Sequence, residues 1–149
     1  MAITLAGEFE VERKLEDVYS FLTTPDHFAP LLPDFEALEV QDDKHFIVKL
    51  KVGVSYIRGT ARVKFEMAEL EPNRYALFKG HGTLPGGSAD LTARFDLAES
   101  PGGTTVTWRG DAQVFGRIVS VARGLLEPLA KRNIQKLIDG LQTALSQLR

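Results

Sequence analysis

The stretch Leu126–Leu148, LEPLAKRNIQKLIDGLQTALSQL, decides the fold. Leu126, Ala130, Asn133, Ile134, Leu137, Leu141, Ala144, Leu145 and Leu148 recur at three- and four-residue steps, opposite Lys131, Gln135, Asp139 and Gln142. A stripe of this kind marks a long helix that lays one face against a core. The helical pattern starts near Gly116, and Pro128 inside it removes one backbone hydrogen bond, so a kink or break is expected near Gly124.

Ahead of that helix the period is mostly two. Ile3, Leu5, Gly7, Phe9 and Val11 alternate with Thr4, Ala6, Glu8 and Glu10, which predicts a half-buried strand. Leu15, Val18, Tyr19 and Leu22 then fall at helical spacing, and Pro25 followed by Phe28, Leu31 and Leu32 predicts a second short helix ending before Pro33. Alternation returns at Leu38 and Val40, and again from Phe46 to Val52 after a turn at Asp42 and Asp43. A long strand carries Ile57, Gly59, Ala61, Val63, Phe65 and Met67 inward, with Arg58, Arg62 and Lys64 on its solvated outer face. Further strands are predicted over Tyr75–His81, Ala89–Leu97 and Val106–Val114, separated by a loop at Leu84–Gly87 and a turn at Pro101–Gly103.

These elements bury their apolar faces only if the sheet curls over the last helix. The expected fold is α+β: a helix-grip of about seven antiparallel strands, curved around a long C-terminal helix, with two short helices after the first strand. One domain spans residues 1–149, a length that buries roughly two thirds of the unfolded surface.

Composition narrows the function classes. A formal charge of −2 offers no field to gather nucleic acid, and 44% hydrophobic with 26% charged residues is ordinary for a globular chain. There is no cysteine, hence no disulfide, thiolate nucleophile or Cys-ligated metal, which fits a reducing cytoplasm. No run approaches the roughly 20 apolar residues of a spanning helix, and the start of the chain lacks the pattern of an export signal.

Gly59, Ala61, Ala89, Ala93, Gly110 and Ala112 occupy inward positions where a filled core carries Val, Ile or Leu. Close helix-on-sheet contact or bent strands would explain any one of them; together they point to an open space. The expected ligand wall is Gly59, Ala61, Phe65, Phe78, Ala93, Trp108 and Gly110 from the strands, with Leu126, Ala130 and Asn133 from the helix. The expected gate is Phe28, Leu31 and Leu32 on the second short helix, facing a glycine hairpin that includes Gly82.

Catalytic groups are sparse. His27, His45 and His81 fall on separate elements with no metal-ligand spacing, so neither a metal site nor a cofactor is expected. Gly80, Gly82, Gly86 and Gly87 lack the lysine and following helix of a phosphate loop. Asn133 on the apolar stripe either bonds a ligand or satisfies the backbone near the kink, and Arg123 lies near the same stripe or at its rim. Tyr56, Tyr75 and Trp108 are the aromatic groups able to orient a ring, Trp108 being the best placed.

Several local runs carry a resemblance: Gly7-Glu8-Phe9-Glu10-Val11, Asp17-Val18-Tyr19-Ser20-Phe21-Leu22 with Pro25, Leu32-Pro33, Lys49-Leu50-Lys51-Val52-Gly53, Gly59-Thr60 with Phe65, and Asp111-Ala112-Gln113-Val114. In this order they resemble the START-like superfamily and, within it, the G-subunit group of carbon monoxide dehydrogenase. The resemblance implies a helix-grip fold with a hydrophobic cavity, and accessory proteins that help a molybdenum-containing dehydrogenase reach the membrane or pass electrons on by carrying a quinone or similar lipophile. The family often reads Leu-Pro-Gly-Cys where this chain has Leu32-Pro33-Asp34-Phe35. Members with a membrane-attaching tail continue past the helix, whereas this sequence stops at Arg149, so no permanent anchor is expected and membrane contact would be transient.

The expected function is non-catalytic binding and transfer of a lipophilic small molecule, with a dehydrogenase as a candidate partner. Burying about 300 Å² of apolar ligand surface supplies about 7 kcal/mol gross, and association costs leave a weak to micromolar affinity suited to exchange. An aromatase/cyclase-type enzyme using the same cavity would need polar groups in it, and an interaction module would need the cavity filled by side chains.

Overall fold

A computed structural model describes residues 1–147; Leu148, placed above on the helix stripe, lies outside the described residues with Arg149. The elements run β1 (Ala2–Val11), α1 (Leu15–Leu22), α2 (Pro25–Phe28), a 3-10 turn (Ala29–Leu31), β2 (Phe35–Val40), β3 (His45–Val54), β4 (Ile57–Glu71), β5 (Tyr75–Leu84), β6 (Gly87–Ser100), β7 (Gly103–Phe115) and α3 (Arg117–Ser146). The strands form one antiparallel sheet ordered β1-β7-β6-β5-β4-β3-β2. The fold is the expected α+β helix-grip, with β1 and β2 as the edges of an open, curved sheet. β2 to β7 form a meander through short turns, while β1 pairs with the last strand across the α1–α2 insertion.

Alternation explains the burial. On β1, Ile3 and Val11 are buried while Thr4, Glu8 and Glu10 are exposed. Register irregularities between Phe35 and Ala37 and between Met67 and Glu69 bend β2 and β4, the usual device for curling a sheet. Two apolar clusters result. One gathers Val18, Phe46, Val106 and Leu145 under α1 and the end of α3; the other gathers Ile3, Val114, Ile118 and Ala122 where α3 begins.

Helix α3 spans both clusters and is tied at each end. The Ile118 amide donates to the Gly86 carbonyl at 3.0 Å. At the far end Arg13 Nε donates to the Leu145 carbonyl at 2.8 Å, and Gln142 Nε2 donates to the Glu10 carbonyl at 3.0 Å. Fully buried Thr104 donates its hydroxyl to the Arg13 carbonyl at 2.7 Å, which steadies the segment that holds the helix end.

Two local expectations are refined. The bend expected near Gly124 is present: it lies at Ala122 (φ −120°, ψ 21°), two residues away, and divides α3 into two pieces. Ala122 is buried against Ile3 and Ile118, so the first turn is held by the sheet end while the remainder swings along the concave face. Pro128 and Gly124 are both exposed, which leaves the Gly124 carbonyl, deprived of its donor, on the solvent side. The loop expected at Leu84–Gly87 is a two-residue turn, Pro85 and Gly86, with β5 running through Leu84 and β6 resuming at Gly87. Cross-strand pairing from Gly80↔Leu91 to Leu84↔Gly87 overrides the weak strand preference of glycine.

Candidate functional site

A cavity of about 390 Å³ lies between α3 and the concave face of the sheet. Its wall is hydrocarbon almost throughout. Ile3, Leu5 and Phe9 come from β1, Phe46, Phe65 and Phe78 from the central strands, and Ala130, Ile134, Leu137, Ile138 and Leu141 from α3. Phe28 and Leu32 cover one side. The volume lies within the range of small-molecule sites.

The inward small residues divide into two kinds. Ala93 and Gly110 face each other across β6 and β7, and both line the cavity. Ala93 remains exposed, and a Cβ built on Gly110 would find only the Thr92 carbonyl, 4.0 Å away. Ala112 lines the same region. Here the missing side chains are missing volume. Gly59, in contrast, is pressed on Pro85, whose Cγ would come within 2.9 Å of an added Cβ. Ala61 is 2% and Ala89 6% exposed, both packed by neighbours, and neither lines the cavity.

Two glycines act through close approach. Gly7 and Gly80 pair in register with Trp108 and Phe65, and added Cβ atoms would lie 2.8 Å from each ring. The glycines let the rings lie flat on the neighbouring strand, which keeps two large side chains on the wall and out of the space. Phe65 in turn stacks on Phe46 at 5.2 Å, and Phe28 meets Phe46 and Phe78 edge-on at 5.7 and 5.9 Å.

Of the residues expected at the ligand, Phe65, Phe78, Ala93, Trp108, Gly110 and Ala130 are brought together on the cavity; Gly59, Ala61, Leu126 and Asn133 do not line it. Leu126 packs in the cluster at the start of α3, and Asn133 is half-buried. Of the gate residues, Phe28 and Leu32 line the cavity, while Leu31 packs against the core beside Gly140. Gly82 is buried inside β5 against Val63, away from any mobile loop. Ile134 belongs to the predicted stripe without being assigned to the wall. The aromatic and aliphatic alternation of β1, β3 and β6 holds the signal for Phe9, Phe46 and Leu91, which also line the space.

Thr92, Arg94, Arg109 and Asp111 border the space beside Ala93 and Gly110, yet almost none of its surface is polar. Arg94 forks onto Asp96 at 2.9 and 3.0 Å, and Arg109 onto Asp111 at 3.0 and 3.3 Å, all on the outer face. Those guanidinium bonds hold both carboxyls below the usual range, and Thr4 adds a bond to Asp111. Tyr75 donates to Glu69 at 3.2 Å beneath Arg94, and Tyr56 stands at a hairpin tip, so neither phenol reaches the cavity. Tyr19 is buried in the core, and that burial first, with the Glu71 charge second, pushes its phenol up. His27 stacks on Phe21, His45 sits 2.8 Å from Asp42, and His81 sits 2.6 Å from Asp90, each on the surface. Among the described residues no cluster of His, Asp and Glu has the makings of a metal site. The indole Nε1 of Trp108 is buried without a hydrogen-bond partner.

A sheet gripping one long helix over an apolar space defines a START-like helix-grip domain, and solved structures agree on the fold. A conserved protein from Geobacillus kaustophilus superposes with a TM-score of 0.86 at 19% identity, over 97% of this chain and 96% of that one. A START superfamily protein from Mycobacterium smegmatis gives 0.73 at 12% identity, over 98% and 99%. The Zhui aromatase/cyclase from Streptomyces sp. R1128 gives 0.72 at 18% identity, over 100% and 97%. The sequence itself is more specific: residues 7–146 match the CoxG family, the G-subunit family of carbon monoxide dehydrogenase, and the chain belongs to that family. No curated protein matches it.

Proposed function

We propose that the protein binds a lipophilic small molecule, quinone- or lipid-like, in the cavity under α3 and passes it on unchanged, as an accessory to a molybdenum-containing dehydrogenase. The observation that carries this reading is the lining: about 390 Å³ walled almost wholly by hydrocarbon, with Arg94 and Arg109, the cations that border it, already paired to Asp96 and Asp111. Water gains little in such a space, whereas an apolar ligand regains the contacts that Ala93 and Gly110 leave open. Family membership supports the accessory role by its name. The likeness to an aromatase/cyclase supports the same fold without supplying the polar cluster that enzyme chemistry requires.

Exchange needs a moving wall. Phe28 and Leu32 sit on short elements, a four-residue helix and the end of a 3-10 turn, which open at lower cost than the sheet. We place the protein in the cytoplasm; among the described residues no helix is long and apolar enough to cross a membrane.

The test is direct. Protein purified without detergent is extracted with organic solvent, and the extract is analysed by mass spectrometry and absorbance. A recovered quinone or lipid, roughly one per chain, is expected. An empty extract, together with no rise in melting temperature when quinones and lipids are added, rejects the reading.

A further inference from the structure

The two edges of the sheet, β1 and β2, are finished differently. β2 is short, follows Pro33 and is kinked by the irregularity between Phe35 and Ala37, devices that blunt an edge. β1 is ten residues long, contains no proline or lysine, and pairs with β7 in unbroken register from Ala2↔Gln113 to Val11↔Thr104.

The parity of this ladder decides which backbone groups β1 leaves over. The Val114 amide donates to the Met1 carbonyl at 2.7 Å, so Met1 and Val114 form a hydrogen-bonded pair. Alternate residues then follow: Ile3, Leu5, Gly7 and Phe9 spend their amides and carbonyls on β7, while Ala2, Thr4, Ala6, Glu8 and Glu10 direct theirs to the free edge. Gln142 Nε2 confirms the parity by donating to the Glu10 carbonyl at 3.0 Å, and it closes that end of the edge. No other group among the described residues bonds the free-edge backbone of Thr4, Ala6 or Glu8, and all three residues are exposed.

We propose that β1 pairs antiparallel with β1 of a second copy about a twofold axis at Ala6, joining two sheets into one. Centring on Ala6 uses the whole free edge: Ala6 faces its own copy, Thr4 faces Glu8, and Ala2 faces Glu10, where Gln142 ends the ladder. No like charges meet, since both carboxylates of the edge lie opposite neutral residues. On the concave face the same register sets Ile3 against Phe9 and Leu5 against Gly7, a β-branched side chain against an aromatic one and a large residue against none. Pairing with the copy's β2 would instead bring Glu8 and Glu10 to a strand that carries Glu36 and Glu39. Ile3, Leu5 and Phe9 line the cavity, so the join runs along the walls of both cavities, whatever they hold.

The sequence has no cysteine, so one added thiol reports the register. In a hydrogen-bonded antiparallel pair the Cα atoms stand about 5.5 Å apart, within disulfide reach. Ala6→Cys should oxidise to a covalent dimer, while Glu8→Cys, roughly 13 Å from its own copy in this register, should not. Both sites are exposed, and unchanged thermal melts confirm folding. Sedimentation equilibrium of the native chain from about 5 to 500 μM should show a monomer–dimer balance. The amides of Thr4, Ala6 and Glu8 should gain protection from hydrogen exchange as the dimer forms. Thr4→Glu opposes carboxylates on both sides of the axis and should weaken association about fivefold, and T4E/E8K should restore it. A native chain that stays monomeric throughout, including one whose edge takes up a strand of another protein, overturns the proposal. Equal cross-linking of Ala6→Cys and Glu8→Cys, or an unprotected Ala6 amide in a dimer, overturns it as well.

Discussion

The indole of Trp108 lies across Gly7, its register partner on β1, so closely that an added Cβ would stand 2.8 Å from Cζ2 of the ring. The pair fixes one wall of the cavity. Gly7→Ala must lift the indole or shift β1, and over-packing of this sort costs about 1–3 kcal/mol. A melt should show the loss, and emission from the lone tryptophan should change. An unchanged melt and spectrum would mean that the wall yields freely.

Phe28 closes the side under α2 by edge-on contacts with Phe46 and Phe78. Phe28→Ala removes a half-buried ring at a cost of about 2 kcal/mol, below the figure for a fully buried one. Ligand release, followed by stopped-flow recovery of Trp108 emission, should accelerate more than binding weakens at equilibrium. Unaltered release would move the gate elsewhere.

Pro128 is exposed and lies beyond the bend at Ala122. Pro128→Ala restores a hydrogen bond to the Gly124 carbonyl without disturbing packed residues, so it should stabilise by about 1–3 kcal/mol. Chemical denaturation measures this directly. Destabilisation would show that the proline, and not the seat of Ala122, sets the path of α3.

Helix and sheet are legible in the sequence because both periods are written in consecutive residues: the stripe from Ala130 to Leu145 announces the one, and the alternation in β1 and β3 to β7 the other. The open pair Ala93 and Gly110 is legible as missing volume. Gly59 looks the same in sequence, yet it is filled from Pro85, a residue of another hairpin; which neighbour fills a gap is a tertiary fact. Gly82 reads as part of a gating hairpin since glycine has little strand preference of its own, and the ladder to β6 supplies the order. Pro128 announces a bend near Gly124, and the structure has it at Ala122, within the cluster at the start of α3.

Acid should lower the stability of the protein in a defined window. Asp42, Asp96 and Asp111 are held below the usual carboxylate range, Asp42 chiefly by the Lys44 amide, Asp96 by Arg94 and Asp111 by Arg109. Carboxyls with depressed folded pKa values stabilise above their unfolded pKa, and that contribution is lost as pH falls through the folded values. Denaturation midpoints should hold from neutral pH to about 5 and fall below about 4. All three groups are largely solvated, so each contributes little, and Asp111→Asn should flatten part of the slope. A midpoint independent of pH down to about 2 would contradict these pairings.

The central claim is that the space beside Ala93 and Gly110 takes a lipophile. Gly110→Leu places a side chain into that space with nothing but the Thr92 carbonyl near its Cβ, so the fold should tolerate it. The measurement is quenching of Trp108 emission by a short-chain naphthoquinone, in the native protein and in Gly110→Leu. The account predicts saturable quenching at micromolar concentration in the native protein, and at least tenfold weaker binding in a variant that melts no lower. Equal quenching in both, or none in the native protein, would contradict it.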